Sequence, residues 1–449
     1  MRRSDQIGPR SSYAGSGPWP ALAVLLVLSL SDPRTRSPPR PRNEKSLLEC
    51  IECSCLPMNS LHKSLQSSIS LPENGLSGFS ADLGQQLVFG PGSLSTIGPS
   101  AREMGSGRVL LVTDPSIREA GHLEHVLASL GEAKTESLIF DQVQENPTTG
   151  SVEEAASRLE EEKFDLIVAV GGGSVMDTAK AVNFLLSNGG RMEDYRGYGR
   201  AGKNMYPSIG VPTTAGTGSE AQSYALIARS QDHLKMACGD PGVRFRRVIL
   251  DPDLLETAPR QVLAAAAVDA LSHAVESLVS ATSNPISRMF SCWSWRLLEP
   301  SCENAVNEGN REALGQMLIG AYLAGMAVEL SMLGAAHACA NPLTARFGVR
   351  HGAAVALLLP GVVRLNGPAV NADYGQLEGI DPVQAAESLA VRLAALRIRF
   401  DLPTSLVELG VDESSIEQLA TEAAQQWTGQ FNPVPLTTET ATRIYESLL

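Results

Sequence analysis

The chain has few aromatic residues and no excess of positive charge. Phenylalanine, tryptophan and tyrosine together make up 5% of its 449 residues. Lysine and arginine total 36 against 49 aspartates and glutamates, which gives a formal net charge of -13. Nucleic acids and anionic membrane surfaces would repel such a chain, because both are negatively charged. The composition therefore argues against nucleic-acid and membrane partners.

The chain also lacks a disulfide framework, since its seven cysteines are an odd number scattered over a long sequence. A C-x-x-C-x-C cluster at Cys50 to Cys55 has a spacing that could hold a metal, but no second ligand cluster lies near it. Chance is the simpler interpretation. The other four stand singly in apolar surroundings and are expected to be small buried thiols in a reducing compartment: Cys238, Cys292, Cys302 and Cys339.

The beginning of the chain differs in composition from the rest. An apolar run, Ala21 to Leu30, lies between segments rich in proline, glycine, serine and arginine. A helix that spans a bilayer needs about 20 apolar residues, so this run is too short. It lies far from Arg2 and Arg3, which fits a secretory signal poorly, and a true start nearer Met58 is a simpler alternative. We interpret residues 1–75 as a disordered or artefactual extension.

The periodicity of apolar residues divides the remainder into two regions. Apolar segments of strand length alternate with helical segments such as 151–163 and 175–188, and they lie at 87–92, 108–114, 164–170, 208–212 and 247–251. Strands that are apolar throughout and separated by helices form a parallel sheet covered on both faces. After Asp251 the apolar spacing is helical, at 261–280, 316–332, 382–396 and 413–427. We predict an α/β dinucleotide-binding domain over 80–250 and an all-helical domain over 251–449.

Two loops of the α/β region have the composition of nucleotide-binding loops. Gly171 to Ser174 follows a predicted strand and opens a helix, where backbone amides can approach a pyrophosphate. This loop is not G-x-G-x-x-G, so an ordinary Rossmann unit is not indicated. The second loop, Pro212 to Glu220, offers hydroxyls to phosphate or ribose, although a plain polar turn is the alternative. Asp114 ends its strand where a carboxylate would bind ribose hydroxyls and repel a 2′-phosphate, which favours NAD over NADP.

One aspartate and three histidines of the helical region form a candidate metal site. Asp269 and His273 are four residues apart in a helical segment, so both lie on one face. His337 and His351 lie in apolar segments farther along. A buried carboxylate without a partner is costly, and one carboxylate with three imidazoles suits a first-row divalent ion. The other histidines have polar neighbours and are expected at the surface: His62, His122, His125 and His233.

Taken together, these segments resemble the iron-containing (group III) alcohol dehydrogenases over nearly all of residues 87–449. The resemblance lies in G-G-G-S-x-x-D-x-A-K at Gly171 to Lys180, P-T-T-A-G-T-G-S-E at Pro212 to Glu220, D-A-L-x-H-A at Asp269 to Ala274, and the spacing of His337 and His351. It implies a dehydroquinate synthase-like fold, NAD, and Fe²⁺, with Zn²⁺ or Mn²⁺ as alternatives. The implied metal ligands are Asp269, His273, His337 and His351. The implied cofactor-binding residues are Asp114, Asn146, Gly172, Gly173, Ser174, Asp177, Thr213, Thr214, Thr217 and Lys235.

One position departs from the family pattern. Many members carry a second histidine four residues after the third ligand, close to the nicotinamide, and here that position is Asn341. Asparagine forms hydrogen bonds but does not take up a proton near neutral pH. A proton relay through this residue is therefore not expected.

The resemblance implies a metal-dependent oxidoreductase that transfers hydride between NAD(H) and a small alcohol or aldehyde. We also expect the protein to be cytoplasmic and a homodimer. Hydroxyacid–oxoacid transhydrogenase and maleylacetate reductase activities remain open within the same superfamily. A lyase of the dehydroquinate synthase type is an alternative of another class. That chemistry requires a pocket rich in lysine and arginine, whereas the segment Ala335 to Ala345 near the predicted metal is apolar and small.

Overall fold

A computed structural model describes residues 83–449. The predicted extension over 1–75 and the cluster Cys50 to Cys55 lie outside this range. A six-stranded sheet has the order β1-β9-β6-β4-β2-β3, and all its pairings are parallel. Its strands are β1 (Gln86–Phe89), β2 (Arg108–Val112), β3 (Glu136–Phe140), β4 (Leu166–Gly171), β6 (Ser208–Pro212) and β9 (Arg247–Leu250). A smaller sheet has the order β5-β8-β7 and contains β5 (Gly197–Tyr198), β7 (Tyr224–Ala228) and β8 (Lys235–Gly239).

Helices cover both faces of the large sheet. They are α1 (Ile97–Glu103), α2 (Pro115–Glu119), α3 (His122–Glu132), α4 (Thr149–Leu159) and α5 (Gly173–Asn188). Successive residues of β2 point to opposite faces: Leu111 packs in the apolar cluster that contains Ile97 and Val126, and Leu110 in the one that contains Val152 and Val182. The predicted parallel sheet, buried on both sides, is confirmed.

Only helices follow the sheets in the described chain, apart from short turns of 3₁₀ type. They are α6 (Arg260–Val279), α7 (Pro285–Glu308), α8 (Arg311–Ser331), α9 (Ala335–Phe347), α10 (His351–Glu378), α11 (Pro382–Arg399), α12 (Ile416–Ala424) and α13 (Thr438–Glu446). Among the described helices, α6, α8 and α10 are long and apolar enough to cross a membrane by length and composition. Most of each apolar window is buried within the protein, 89% in α6, 72% in α8 and 67% in α10.

The order of the strands indicates where a ligand binds. From β2 the chain moves outward to β3 at the edge, and then returns to β4 on the other side of β2. Ligands of parallel sheets bind at such a reversal, beyond the carboxyl ends of the strands. Asp114 follows β2, and the glycine loop follows β4. The two predicted nucleotide-binding features therefore lie on either side of the reversal.

The structure corrects one of the surface predictions. His122 is buried, with 7% of its surface exposed, and its Nε2 lies 2.7 Å from Oγ1 of Thr257. The sequence neighbours of His122 are polar, but the helix start packs against a turn that lies far away in sequence. His125 and His233 are exposed as predicted, and His62 lies outside the described residues. The four predicted single cysteines are all buried and free.

Candidate metal and nucleotide site

Three helices bring the four predicted metal ligands together. Asp269 and His273 are one turn apart on α6, His337 lies in the first turn of α9, and His351 is the first residue of α10. Oδ1 of Asp269 lies 3.8 Å from Nε2 of His273 and 3.6 Å from Nε2 of His337. The ring centres of His337 and His351 are 5.3 Å apart. Asp269, His273 and His337 each offer one ligand atom, and these three atoms lie within 4.8 Å of one another. The ring of His351 lies beside that of His337 at the edge of this cluster.

These side chains fit a divalent cation. Oδ1 of Asp269 and Nε2 of His337 face each other, and both are buried without a hydrogen-bond partner among the described residues, as is Nδ1 of His351. Buried polar atoms without partners are rare because each one costs free energy. The separations from Asp269 are too long for hydrogen bonds but short enough for both groups to bind one ion. Carboxylate and imidazole are donors that Fe²⁺, Zn²⁺ and Mn²⁺ all accept.

Ionisation of the cluster also suits a cation. Burial opposes the charge on Asp269, but the neighbouring imidazoles, His273 first, hold the pKa of its carboxyl well below its usual range. Burial lowers the pKa of His273 to about 4, and burial together with Lys235 lowers the pKa of His351. Burial alone would lower the pKa of His337, yet Glu276 and Asp269 raise it to about 9. Metal ligands bind in their deprotonated form, so a cation at this cluster would compete with a proton at His337.

Glu276 belongs to the site and was not singled out from the sequence. This residue follows His273 on the same helix, and Oε2 of its carboxylate lies 2.5 Å from Nδ1 of His337. Oε1 accepts a hydrogen bond from the backbone N–H of Ala336 at 2.6 Å. Glu276 follows Asp269 by seven residues and His273 by three, so the three side chains lie on one face of the helix. This spacing could have identified Glu276 from the sequence.

Asn341 lies one turn after His337 on α9 and is half-buried. Its Nδ2 donates a hydrogen bond to Oε1 of Gln426 at 3.2 Å. Gln426 is itself buried and was not singled out from the sequence. This hydrogen bond fixes the orientation of the Asn341 amide, and its acceptor lies outside α9.

The two predicted nucleotide loops lie next to each other. The backbone N–H of Asn146 donates to Oγ of Ser174 at the start of α5. Gly172 precedes this helix and has no side chain to cap it, so the amides of the first turn are available for an anion. Thr217 of the second loop is exposed, Thr214 is half-buried and Thr213 is buried. Asp114 caps α2 by accepting from the backbone of Ser116 and Ile117 through Oδ1.

A buried lysine and aspartate hold the second loop on α5. Nζ of Lys180 donates to the carbonyl oxygens of Ser219 and Tyr224 at 2.6 and 2.7 Å and to Oγ of Ser219 at 3.1 Å. The Ser219 hydroxyl in turn donates to Oδ1 of Asp177 at 2.6 Å. Burial lowers the pKa of Lys180 to about 8. The structure thus places Asp177 beneath the loop, where it supports Ser219.

The second loop also touches the helix that carries Asp269. A Cβ atom on Gly216 would lie 2.8 Å from Cα of Ala266, one turn before Asp269, so only glycine allows this contact. Lys235 on β8 is close enough to Asp177 and to Asp269 for both carboxylates to act on its pKa, which burial lowers. The nucleotide loops and the metal cluster therefore form a continuous site.

A parallel sheet with a glycine loop at its reversal, joined to a carboxylate–histidine cluster on helices, defines a metal-dependent, nucleotide-binding enzyme. The chain matches the family Iron-containing alcohol dehydrogenase over residues 84–252 and the Fe-containing alcohol dehydrogenase family, C-terminal, over residues 263–449. It belongs to the iron-containing alcohol dehydrogenase family. The predicted family, fold class and class of enzyme are confirmed, and the protein is an oxidoreductase of the alcohol dehydrogenase class.

Characterised relatives match over most of their length. Alcohol dehydrogenase 4 of Schizosaccharomyces pombe is 33% identical over 81% of this chain and 87% of its own. The NAD-dependent methanol dehydrogenase of Bacillus methanolicus is 31% identical over 81% of this chain and 97% of its own. The solved structure of an alcohol dehydrogenase from Oenococcus oeni, 30% identical, covers 83% of this chain and all of its own, 100%, with a TM-score of 0.80.

Proposed function

We propose that the protein transfers hydride between NAD(H) and a small alcohol or aldehyde, with a divalent metal that would act as the Lewis acid. The observation that carries this proposal is the contact between the second nucleotide loop and α6, one turn before Asp269. This contact joins the nucleotide loops to the helix of the metal cluster. The name of the Bacillus relative supports NAD as the cofactor.

We assign the metal to Asp269, His273, His337 and His351. Fe²⁺ is the first choice because of the family, and Zn²⁺ or Mn²⁺ would suit the same donors. When bound, such an ion supplies Lewis acidity that lowers the pKa of an alcohol or polarises a carbonyl. Asp269, His273 and His337 are buried and His351 is half-buried, which limits the access of bulk water and restricts the orientation of these side chains.

The cofactor residues divide into those that meet NAD and those that support the loops. Gly172, Gly173, Ser174 and Asn146 surround the start of α5 and would bind the pyrophosphate, and Thr213, Thr214 and Thr217 lie on the adjoining loop. Oδ2 of Asp114 has no hydrogen bond within residues 83–449 and is available to ribose hydroxyls. Lys235 would lie near the nicotinamide. We now assign Asp177 a supporting role, because its carboxylate is occupied by Ser219.

Asn341→His is expected to add a group that titrates beside the nicotinamide. The wild-type amide does not take up a proton near neutral pH, whereas an unperturbed histidine has a pKa of about 6.5. The profile of kcat against pH should therefore gain an ionisation between about pH 6 and 7 that the wild-type enzyme lacks. Asn341→Gln is the matched control and should leave the shape of the profile unchanged. Superimposable profiles for Asn341→His and wild type would show that this residue does not take part in proton transfer.

The thiols and the net charge of the protein bear on its location and its partners. Free buried thiols support a reducing compartment such as the cytoplasm, and the net charge of -13 supports a protein that does not bind nucleic acid or anionic membranes.

The edge strand β1 exposes Leu87 and Phe89, which supports pairing in a homodimer. Sedimentation equilibrium tests the homodimer, and a monomer at micromolar concentration would exclude it.

An activity screen tests the proposed function. Purified protein loaded with Fe²⁺ or Zn²⁺ is supplied with NAD⁺ and a series of short alcohols and diols, and in the reverse direction with NADH and aldehydes. Net formation of NADH that stops when a chelator removes the metal is the expected result. Conversion of a hydroxyacid and an oxoacid without net NADH would instead identify a transhydrogenase, and elimination without net NADH a lyase.

A further inference from the structure

The carboxylate of Glu276 occupies an unusual position behind the metal cluster. Only 1% of its side chain is exposed, so its charge must be compensated by the protein. Its two oxygens face two different groups, the imidazole of His337 and the backbone N–H of Ala336. An ionised carboxylate can accept both hydrogen bonds, whereas an amide in the same place could accept only one.

Gly334 and Asn432 lie beside Glu276 at the start of α9 and leave room for its contact with His337. Gly334 precedes α9, and a Cβ atom there would lie 2.7 Å from Oδ1 of Asn432 and 3.0 Å from Oε1 of Glu276. A larger residue would push both oxygens away. Asn432 accepts a hydrogen bond from the N–H of Ala335 at 3.1 Å. Asn432 and Glu276 thus each accept a hydrogen bond from a backbone N–H at the start of α9. Of these two side chains, only Glu276 also contacts the imidazole of His337.

We infer that Glu276 is a positioning residue that fixes the proton of His337 on Nδ1 and so turns the lone pair of Nε2 toward the metal. The geometry supports this directly, since Nδ1 faces Glu276 while Nε2 has no hydrogen-bond partner among the described residues and lies 3.6 Å from Asp269. An imidazole whose Nδ1–H is held by a carboxylate is also a more basic ligand. The inference rests on the proposed metal site.

The test measures metal affinity without turnover. Zn²⁺ binding to metal-free protein is followed by competition with a chromophoric chelator, for wild type and for Glu276→Gln. The glutamine has the same size, but it cannot accept from both Ala336 and His337. We expect Zn²⁺ to bind about 10- to 100-fold more weakly, the range found when such supporting carboxylates are lost.

Asn432→Ala provides the matched control, because Asn432 binds the same end of α9 without touching His337. This variant should lower the melting temperature of the metal-free protein yet keep Zn²⁺ affinity within about threefold of wild type. If Glu276→Gln does not fold, Glu276→Asp takes its place and should weaken Zn²⁺ binding, because the shorter carboxylate cannot reach both partners.

Equal Zn²⁺ affinity for wild type and the Glu276 variant would overturn the inference, and so would an equal loss in Asn432→Ala. A wild-type protein that binds no Zn²⁺ would overturn the metal site and the inference with it. A protein that binds Zn²⁺ as expected but oxidises no alcohol would overturn the proposed reaction alone.

Discussion

Replacing His273 with alanine is expected to abolish stoichiometric metal binding and to lower kcat/KM for alcohol oxidation by at least about 10³-fold. The variant removes one imidazole of the cluster and leaves Asp269 buried with one fewer partner. A Lewis acid contributes several kcal/mol to such a reaction, and each 1.36 kcal/mol corresponds to about a factor of ten. Elemental analysis of the purified variant and steady-state kinetics with added metal measure the two effects.

His125→Ala is the control for this experiment. The same substitution removes an exposed imidazole from α3, far from the cluster in sequence, and should change neither metal content nor rate. Circular dichroism of both metal-free proteins establishes that they are folded. Activity of a folded, metal-free His273→Ala protein close to that of wild type would refute the role assigned to the cluster.

Lys180→Met is expected to destabilise the protein by about 3–5 kcal/mol. Its ammonium group provides three hydrogen bonds that hold the second nucleotide loop, and it balances the charge of the neighbouring Asp177. Methionine fills a similar volume but leaves the carbonyl oxygens of Ser219 and Tyr224 and the Ser219 hydroxyl without their donor. Each polar group buried without a partner costs about 1–3 kcal/mol, so the losses together reach the expected value. Urea unfolding of metal-free protein, followed by circular dichroism, gives the change in the free energy of unfolding.

The loop should loosen in the same variant, so we also expect NAD⁺ to bind more weakly. Lys203→Met is the matched control, since Lys203 is exposed in the same part of the chain and its loss should change stability by less than about 0.5 kcal/mol. A loss of under about 1 kcal/mol in Lys180→Met would show that the buried ammonium does not anchor the loop.

Five of the six strands of the large sheet could be predicted from the sequence, whereas β3 and the smaller sheet could not. β4 and β6 are apolar throughout because helices cover both of their faces, so each is a continuous apolar run. β3 was missed because it is an edge strand with partly exposed residues and no comparable run. α7 was missed because Pro300 and many polar residues interrupt its apolar spacing.

Some residues of the candidate site could also be predicted from the sequence, and others could not. Asp269 and His273 could be paired from their spacing on one helix, because contacts within a helix are local. No local pattern shows that α9 and α10 bring His337 and His351 to the same point, and only the resemblance to a family implied it. The contacts of Glu276 with His337 and of Gln426 with Asn341 are likewise tertiary, so they became visible only in the folded chain.

The most direct test of the account is an anaerobic titration of metal-free protein with Fe²⁺, with the rate of NADH formation from a saturating short alcohol as the measured quantity. The rate should rise linearly from near zero and level off at one equivalent of Fe²⁺ per chain, because we assign Asp269, His273, His337 and His351 to a single site. A rate that is already maximal without Fe²⁺, Zn²⁺ or Mn²⁺, or that does not respond to any of them, would contradict it.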